Sequence, residues 1–215
     1  NVTHRWIVYG FYEGPALWRW LATASPPIRT IVDSGANIGQ TVLHFAALAP
    51  LARIIAYEPG SAARAWLEQG VAANRLEQVR VCAAGLGAAR ARARLRDDGG
   101  PGRHGSWNKV SETEGEPIEL AQMDEEIARL GLDTIDLWKL DMEGYELPAL
   151  RGATQALFRA RIRAIYIEAG GAAGRESISF LRSFDYRVCG LTPRGRVVDW
   201  QPTHDCDCAL CFAPG

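Results

Sequence analysis

Acidic residues and glycines follow two neighbouring apolar runs in a pattern suited to holding an adenosine-containing cofactor. In IVDSGANIGQT, residues 31–41, Asp33 ends a predicted buried strand, and Gly35 and Gly39 precede a predicted helix. Glycines let the backbone approach a ligand at a helix N-terminus, where free N–H groups donate to a polar or anionic group. Glu58 ends the next predicted strand, at the spacing of about 20 residues at which a carboxylate accepts both hydroxyls of a ribose.

The glycine pattern differs from the dinucleotide-binding fingerprint. G-x-G-x-x-G makes room for a pyrophosphate, whereas this sequence has Asn37 at one of those positions and lacks the third glycine. Acidic residues at strand ends often serve as helix caps, so either element alone is a weak signal. Their order and spacing together favour an adenosine-containing cofactor and disfavour an NAD-dependent oxidoreductase.

A third cluster of charged residues, IDLWKLDMEGYE at residues 135–146, lies on and after a predicted buried strand. The C-terminal ends of parallel strands share one edge with the cofactor crevice, so we expect Asp141 and Glu143 at the reaction site, together with Glu168 from the end of the following strand. The alternative is that the acidic residues cap the helix beginning at Leu147 and complement its dipole. Asp141 and Glu168 alone make a weak Mg²⁺ site, and we predict that no metal is needed.

These motifs resemble the FkbM-type methyltransferases, S-adenosylmethionine-dependent enzymes with the class I, Rossmann-like methyltransferase fold. The matching stretches are VDSGANIGQT at residues 32–41, AYEP at 56–59, IDLWKLDMEGYELPALRGA at 135–153 and IYIEAG at 165–170. The resemblance extends from Tyr12 to the final predicted strand.

The resemblance implies S-adenosylmethionine as the cofactor and assigns parts of it to matching positions. Glu58 belongs at the ribose, and Asp141 beside the methionine amino group and the transfer centre. Where the family has an acidic or small polar adenine contact after the third strand, this chain has CAAG at residues 82–85, so we expect Ala84 to contact adenine through its backbone. The full set of predicted cofactor-binding residues is Asp33, Gly35, Ala36, Asn37, Gly39, Gln40, Thr41, Glu58, Pro59, Ala84 and Asp141.

Methyl transfer from a sulfonium requires mainly alignment, together with a base that removes the proton of the acceptor. For a hydroxyl acceptor the candidate bases are Asp141, Glu143, Glu168 and His104. His104 has a suitable unperturbed pKa of about 6.5, although a lone His in a glycine-rich segment is more often solvated. We therefore predict an O-methyltransferase acting on a hydroxyl of a sugar, polyketide or other natural product. The alternative is a noncatalytic, methyltransferase-like binding module within a larger protein.

The elements that must position these residues alternate between short apolar strands and helices. Strands are predicted at residues 28–32, 53–57, 79–84, 135–140 and 163–167, and helices at 41–52, 61–74, 123–130, 147–158 and 177–183. The pattern predicts an α/β fold, a Rossmann-like, doubly wound, mostly parallel seven-stranded sheet with an antiparallel C-terminal hairpin at residues 187–212. We divide the chain into an N-terminal lid or approach segment, residues 1–27, and a class I methyltransferase domain, residues 28–215.

Three segments have unusual composition. In residues 90–96 arginine alternates with small or apolar residues, which predicts a solvated edge strand protected by its charge rather than an anion site. Residues 97–106 are rich in glycine, and we predict a mobile lid there, with a solvent-exposed connector as the alternative. A zinc site is one interpretation of the closely spaced Cys206, Cys208 and Cys211, with His204 nearby. A final buried strand is the preferred interpretation.

Composition bounds the remaining possibilities. The 215 residues, 47% hydrophobic and 23% charged, fit one globular domain. Subtracting 25 acidic from 24 basic residues leaves a net charge of −1, which argues against nonspecific nucleic-acid binding. No apolar run reaches the roughly 20 residues of a membrane span. The five cysteines, an odd number, favour the reducing cytoplasm over a disulfide framework. We expect a small hydroxylated acceptor as partner, and a chain that is part of a longer protein or a homo-oligomer.

Overall fold

The computed structural model describes residues 15–97, 108–201 and 208–215. Several expectations fall outside this range, namely those on residues 1–14 of the N-terminal segment, on His104, His204 and Cys206, and on all of the glycine-rich segment beyond Asp97. In the part of the chain that is described, no helix is long and apolar enough to cross a membrane.

Helices and strands alternate at residues 30–82 and 123–191, as the sequence predicts, whereas the elements described between residues 85 and 122 are all strands. The helices are α1 (Pro15–Ala22), α2 (Gln40–Leu48), α3 (Ser61–Ala73), α4 (Met123–Leu130), α5 (Glu146–Arg151), α6 (Thr154–Phe158) and α7 (Gly171–Arg182). The strands are β1 (Thr30–Ser34), β2 (Arg53–Tyr57), β3 (Val79–Cys82), β4 (Gly85–Gly87), β5 (Ala91–Asp97), β6 (Asn108–Ser111), β7 (Glu116–Gln122), β8 (Leu137–Leu140), β9 (Ala164–Glu168), β10 (Arg187–Leu191), β11 (Val197–Asp199) and β12 (Cys208–Phe212).

The main sheet has the strand order β11-β10-β12-β9-β8-β1-β2-β3. Five neighbouring strands of this sheet are parallel, namely β9, β8, β1, β2 and β3. The other three, β12, β10 and β11, pair antiparallel. This confirms the predicted α/β fold with a mostly parallel sheet and an antiparallel C-terminal hairpin. The described sheet has eight strands, because the tail contributes three: β10 pairs with β11 on one side and with β12 on the other.

Two apolar clusters cover the two faces of the main sheet. One contains Phe45 of α2 and Leu67 of α3, and the other contains Met123 of α4, Leu150 of α5 and Leu181 of α7. Because the sheet is buried on both faces, its central strands are almost continuously apolar. Polar residues lie at the C-terminal ends of β1, β2, β8 and β9, along one edge of the sheet.

A second sheet, with the order β4-β7-β5-β6, lies between β3 and α4 in the chain. The arginine-rich segment predicted as an edge strand is β5, and that prediction is wrong in its placement, because β7 and β6 pair with β5 on its two sides. Its exposed arginines contact carboxylates of the same sheet: Arg92 lies 3.1 Å from Glu119, and Arg96 lies 3.4 Å from Glu114. Exposed pairs of this kind contribute little to stability.

Two further differences from prediction lie near closely packed glycines. The helix predicted at residues 147–158 is divided into α5 and α6 next to Gly152, whose added Cβ would lie 2.1 Å from the carbonyl oxygen of Gly87. Helix α7 begins six residues before the predicted Ser177, at Gly171. Within α7, a Cβ on Gly174 would lie 2.2 Å from the carbonyl carbon of Ala169, so only glycine allows this close approach.

Candidate functional site

The loop between β1 and α2 turns sharply over the end of β2. Gly35 (φ 78°), Asn37 (φ 49°) and Gly39 (φ 91°) have left-handed backbone conformations. The N–H groups of Gly35 and Ala36 both donate to the carbonyl oxygen of Tyr57, at 3.1 Å. Gly39 is the N-cap of α2 and makes no side-chain capping bond, so the first turn of α2 keeps donors for a ligand.

Glu58, which follows β2, accepts two backbone hydrogen bonds that hold this loop in place. Its Oε2 accepts the N–H of Asn37 and its Oε1 accepts the N–H of Gly60, both at 2.8 Å. The residue is buried, and burial raises the pKa of its carboxyl to about 7, although the two amide donors act in the opposite direction. Each carboxylate oxygen retains a further lone pair that a ribose hydroxyl can use.

Asp33 is completely buried at the end of β1. The Thr41 hydroxyl, from the first turn of α2, donates to its Oδ2, and Lys139 lies 3.7 Å from its Oδ1. Burial raises the pKa of Asp33, and the charge of Lys139 lowers it. Asp33 is therefore hydrogen-bonded to the first turn of α2, which follows the glycine loop. Gln40 directly precedes Thr41 in the chain. The Oε1 of Gln40 is buried without a hydrogen-bond partner among the described residues.

Lys139 was not among the predicted site residues, and it joins two of them. It lies on β8 directly across from Asp33 of β1, and its Nζ is 3.0 Å from Asp141 Oδ2. The side chain is 1% exposed. A lysine inside an otherwise apolar strand, as in IDLWKLD, is the sequence signal that could have identified it, because charged residues are almost never fully buried unless paired.

Three predicted carboxylates meet at the ends of β8 and β9. Asp141 follows β8 and keeps 32% of its side chain exposed, and Glu168 is the exposed last residue of β9. Glu143 has a left-handed backbone (φ 54°). Burial, together with the negative charges of Asp141 and Glu168, raises the pKa of Glu143 to about 7. These carboxylates therefore lie close enough to influence one another.

Neither Asp141 nor Glu143 is the N-cap of the helix that follows, which was the alternative interpretation of these residues. The N-cap of α5 is Tyr145, without a side-chain capping bond. Glu146 holds the turn, because its buried Oε1 accepts the N–H of Met142 at 2.7 Å and the N–H of Gly144 at 3.2 Å. Glu146 thus takes the structural role at this turn.

Ala84 lies in the turn between β3 and β4, beside a cavity of about 510 Å³. The cavity wall also includes Tyr57, whose hydroxyl donates to Glu126 at 2.6 Å, and Arg129, which pairs with the same Glu126. Pro59 lies nearby, 3.7 Å from where a Cβ on Gly85 would stand. The predicted adenine position therefore adjoins open space between the two sheets.

Metal ligands are not grouped in the part of the chain that is described, where no cluster of three or more His, Cys, Asp or Glu has metal-binding geometry. Cys208 and Cys211 lie on β12, the final strand, and a final strand was the preferred interpretation of this segment. Cys211 is fully buried, and burial raises the pKa of its thiol to about 12.

Comparison with known proteins agrees with the motifs. The family model described as "Methyltransferase FkbM domain" matches residues 33–188, which confirms the resemblance found in the sequence. A curated relative, the AMB antimetabolite synthetase AmbE of Pseudomonas aeruginosa, is 29% identical over 192 aligned residues, which cover 70% of this chain and 9% of that protein. The chain thus spans a small part of the length of this relative.

Solved structures with a similar fold are methyltransferases. The precorrin-6y C5,15-methyltransferase of Geobacter metallireducens has a TM-score of 0.53 at 10% identity, covering 93% of this chain and 87% of its own. An rRNA methylase of Streptococcus thermophilus has a TM-score of 0.51 at 14% identity, with 90% of each chain covered. A structure from Streptococcus mutans, SMU.1697c in complex with S-adenosylhomocysteine, scores 0.50 at 9% identity, covering 91% and 94%. At these identities the likeness shows the fold.

Proposed function

Because the chain belongs to the FkbM methyltransferase family, for which S-adenosylmethionine is the cofactor, we propose that it methylates a hydroxyl group of a sugar, polyketide or other natural product. The observation that carries this proposal is Glu143, a carboxyl with a pKa of about 7 beside Asp141 and Glu168 at the edge that also bears the glycine loop. A base with a pKa near neutrality is suited to taking a proton from a hydroxyl.

The chemistry of the side chains fits the cofactor. Ribose hydroxyls are donors, and Glu58 offers them an anionic acceptor that is already fixed by the amides of Asn37 and Gly60. The amino group of the methionine part is a cation, and Asp141 offers it a partly exposed carboxylate. Open space beside Ala84 is available for the adenine. When bound, S-adenosylmethionine supplies the methyl group to be transferred.

Each acidic residue then has a separate task. Glu58 binds the ribose, Asp141 orients the methionine end, and Glu143 removes the proton of the acceptor hydroxyl. Glu168 lies near Glu143 and keeps the affinity of that carboxyl for a proton high, since like charges disfavour ionisation. His104 lies outside the described residues and stays a predicted alternative base.

A small acceptor is favoured over nucleic acid by charge. The whole chain has a net charge of −1, and the proposed acceptor site contains three carboxylates, which would repel a phosphate backbone. The rRNA methylase among the similar structures shares the fold, and fold alone does not determine the substrate.

The test is a search for product. The protein is incubated with isotopically labelled S-adenosylmethionine and a panel of hydroxylated sugars, polyketides and other natural products, with ribosomal RNA as a separate arm, and methylated products are identified by mass spectrometry. The proposal expects a product carrying the label on a hydroxyl oxygen. Label in RNA would overturn the substrate class. Tight S-adenosylhomocysteine binding without product from any acceptor would favour the noncatalytic binding module.

A further inference from the structure

Lys139 is an almost completely buried cation in the described site. Its side chain is 1% exposed, on a central strand with β1 on one side and β9 on the other. An ammonium group at such a position is costly unless anions compensate for its lost hydration. Two carboxylates do so: Asp141 at 3.0 Å and Asp33 at 3.7 Å.

The arrangement leaves an excess of negative charge. Asp33 and Asp141 face a single ammonium group, so one of their two charges is not compensated by Lys139. Asp33 is fully enclosed, whereas Asp141 is partly exposed. The uncompensated charge is therefore available at Asp141, on the side that opens toward the proposed methionine end of the cofactor.

We propose that Lys139 is a positioning residue that compensates one of the two negative charges of Asp33 and Asp141 and leaves the other directed toward the amino group of the cofactor. This inference rests on the proposed function, in which Asp141 holds the methionine end. Lys139 itself does not contact the cofactor.

Removal of the Lys139 charge would leave two neighbouring carboxylates without a counterion. Like charges at short range disfavour double ionisation, so the pair in such a variant would hold a proton up to a higher pH than in the wild type. Other described groups near the trio are the Thr41 hydroxyl from α2, Glu58 after β2 and Glu143 after β8. Tyr166 of β9 lies beside Lys139 in the sheet register. The charge of Arg64 acts on Glu58 and that of Lys109 on Glu143, whereas Lys139 is the cation whose charge lowers the pKa of Asp33.

The proton would have opposite effects on two measurable quantities. It stabilises the folded, cofactor-free protein, because the folded state binds protons more tightly than the unfolded state does. It weakens cofactor binding, because a neutral carboxyl attracts the amino group less than a carboxylate does. A residue that merely fills space in the core would give losses that do not diverge with pH.

The experiment compares wild-type protein with Lys139→Met, in which the side-chain length is kept and the charge removed. Thermal unfolding without cofactor and S-adenosylhomocysteine affinity by calorimetry are each measured at pH 6 and pH 8.5. The proposal expects the stability deficit of the variant to be smaller at pH 6 than at pH 8.5. It expects the affinity deficit to be larger at pH 6, by on the order of tenfold, which corresponds to about one pKa unit. Comparison as variant-to-wild-type ratios removes the pH dependence of Glu58, which both proteins share.

Equal deficits at the two pH values would overturn the proposal and leave Lys139 a structural residue. If Lys139→Met fails to fold at pH 8.5, folding at pH 6 is expected from the same argument, and failure at both pH values for both Lys139→Met and Lys139→Gln would contradict it. Lys139→Arg keeps the charge and is expected to restore the wild-type pH trends. If wild-type protein does not bind S-adenosylhomocysteine, the proposed function fails, whereas the unfolding trend still tests the charge balance.

Discussion

A Cβ atom added to Gly35 would lie 1.9 Å from the carbonyl oxygen of Asp141, well inside the contact distance of two non-bonded atoms. The loop after β1 and the loop after β8 therefore cross with backbone against backbone. The N–H of Asp141 donates to the carbonyl oxygen of Ser34 at 3.2 Å and fixes the crossing. Two loops far apart in the sequence are thus held in one fixed relation, and both bear proposed cofactor contacts.

Gly35→Ala is expected to separate these loops. Alanine has a Cβ that meets the Asp141 carbonyl, and it would also have to adopt a φ of 78°. We expect a loss of unfolding free energy on the order of 2 kcal/mol and a loss of more than about tenfold in S-adenosylhomocysteine affinity, since ordering of both loops is part of the binding site. Denaturant unfolding and calorimetry measure the two quantities, and an unchanged affinity would contradict the proposed site.

The matched control is Gly70→Ala. Gly70 lies inside α3, and an added Cβ there meets no atom within 4 Å. Alanine is the better helix former, so this variant is expected to be more stable than wild type by roughly 0.5–1 kcal/mol. Its cofactor affinity should be unchanged, which would show that glycine replacement in itself does not impair binding.

The affinity for S-adenosylhomocysteine is expected to depend on pH through Glu58. Its carboxyl has a pKa of about 7 in the folded protein without cofactor, and only the ionised form accepts both ribose hydroxyls. Affinity should therefore rise as pH increases toward 7, by up to about tenfold per pH unit below that value, and level off above it. Calorimetry across pH 5.5 to 8.5 measures this curve.

Replacement of Glu58 tests the origin of that curve. Glu58→Gln can accept only one of the N–H groups of Asn37 and Gly60, because its amide nitrogen is itself a donor. We expect binding to weaken by about 1–3 kcal/mol at pH 8 and the pH dependence to flatten. A variant that keeps the slope would place the titrating group elsewhere.

Methyl transfer is expected to continue after metal removal. Asp141 and Glu168 are the candidate oxygen ligands at the reaction edge, and two carboxylates without further oxygen ligands bind Mg²⁺ weakly. Turnover with the identified acceptor should be the same before and after treatment with a chelator. Loss of turnover that Mg²⁺ restores would reverse this prediction.

The sheet and its functional edge were predictable because they depend on local sequence. The apolar pair Ile31 and Val32 is followed by Asp33, and the strand β8 is followed by Asp141. In a parallel sheet those strand ends share one edge. The second sheet was not predicted, because β4 and β6 have only three and four residues and β5 is mostly exposed. The parallel pairing of β4 with β7 joins residues more than 30 positions apart, which local patterning does not encode.

The internal roles of polar residues also escaped prediction. Glu58 was assigned to the ribose from its position, yet its bonds to the amides of Asn37 and Gly60 depend on how the glycine loop folds back. Lys139 interacts with Asp33 only because β1 and β8, far apart in sequence, are neighbours in register. Such partners become visible only when the strand order is known.

Glu143 is expected to determine the pH dependence of turnover. If its carboxylate removes the proton of the acceptor hydroxyl, Glu143→Gln should lower kcat by about 10²–10⁴-fold, with little change in S-adenosylhomocysteine affinity. The limb of the rate profile near pH 7 should disappear as well. Glu125→Gln, an exposed change of the same kind on α4, serves as the control and should leave kcat unchanged. Retention of the limb in Glu143→Gln would assign the base to another residue.

The stability of the same variant provides a test that needs no acceptor. The pKa of Glu143 is about 7 in the folded protein, against 4.5 for an unperturbed glutamate. Since the folded state binds the proton more tightly, the stabilisation from the protonated carboxyl is complete below about pH 4.5 and is lost as pH rises through about 7. Wild-type protein should therefore lose stability relative to Glu143→Gln over this range, because glutamine stays neutral throughout. Thermal unfolding at pH 5 and pH 8 measures the difference between the two proteins, and a difference that stays constant would show that Glu143 titrates normally and is not the proposed base.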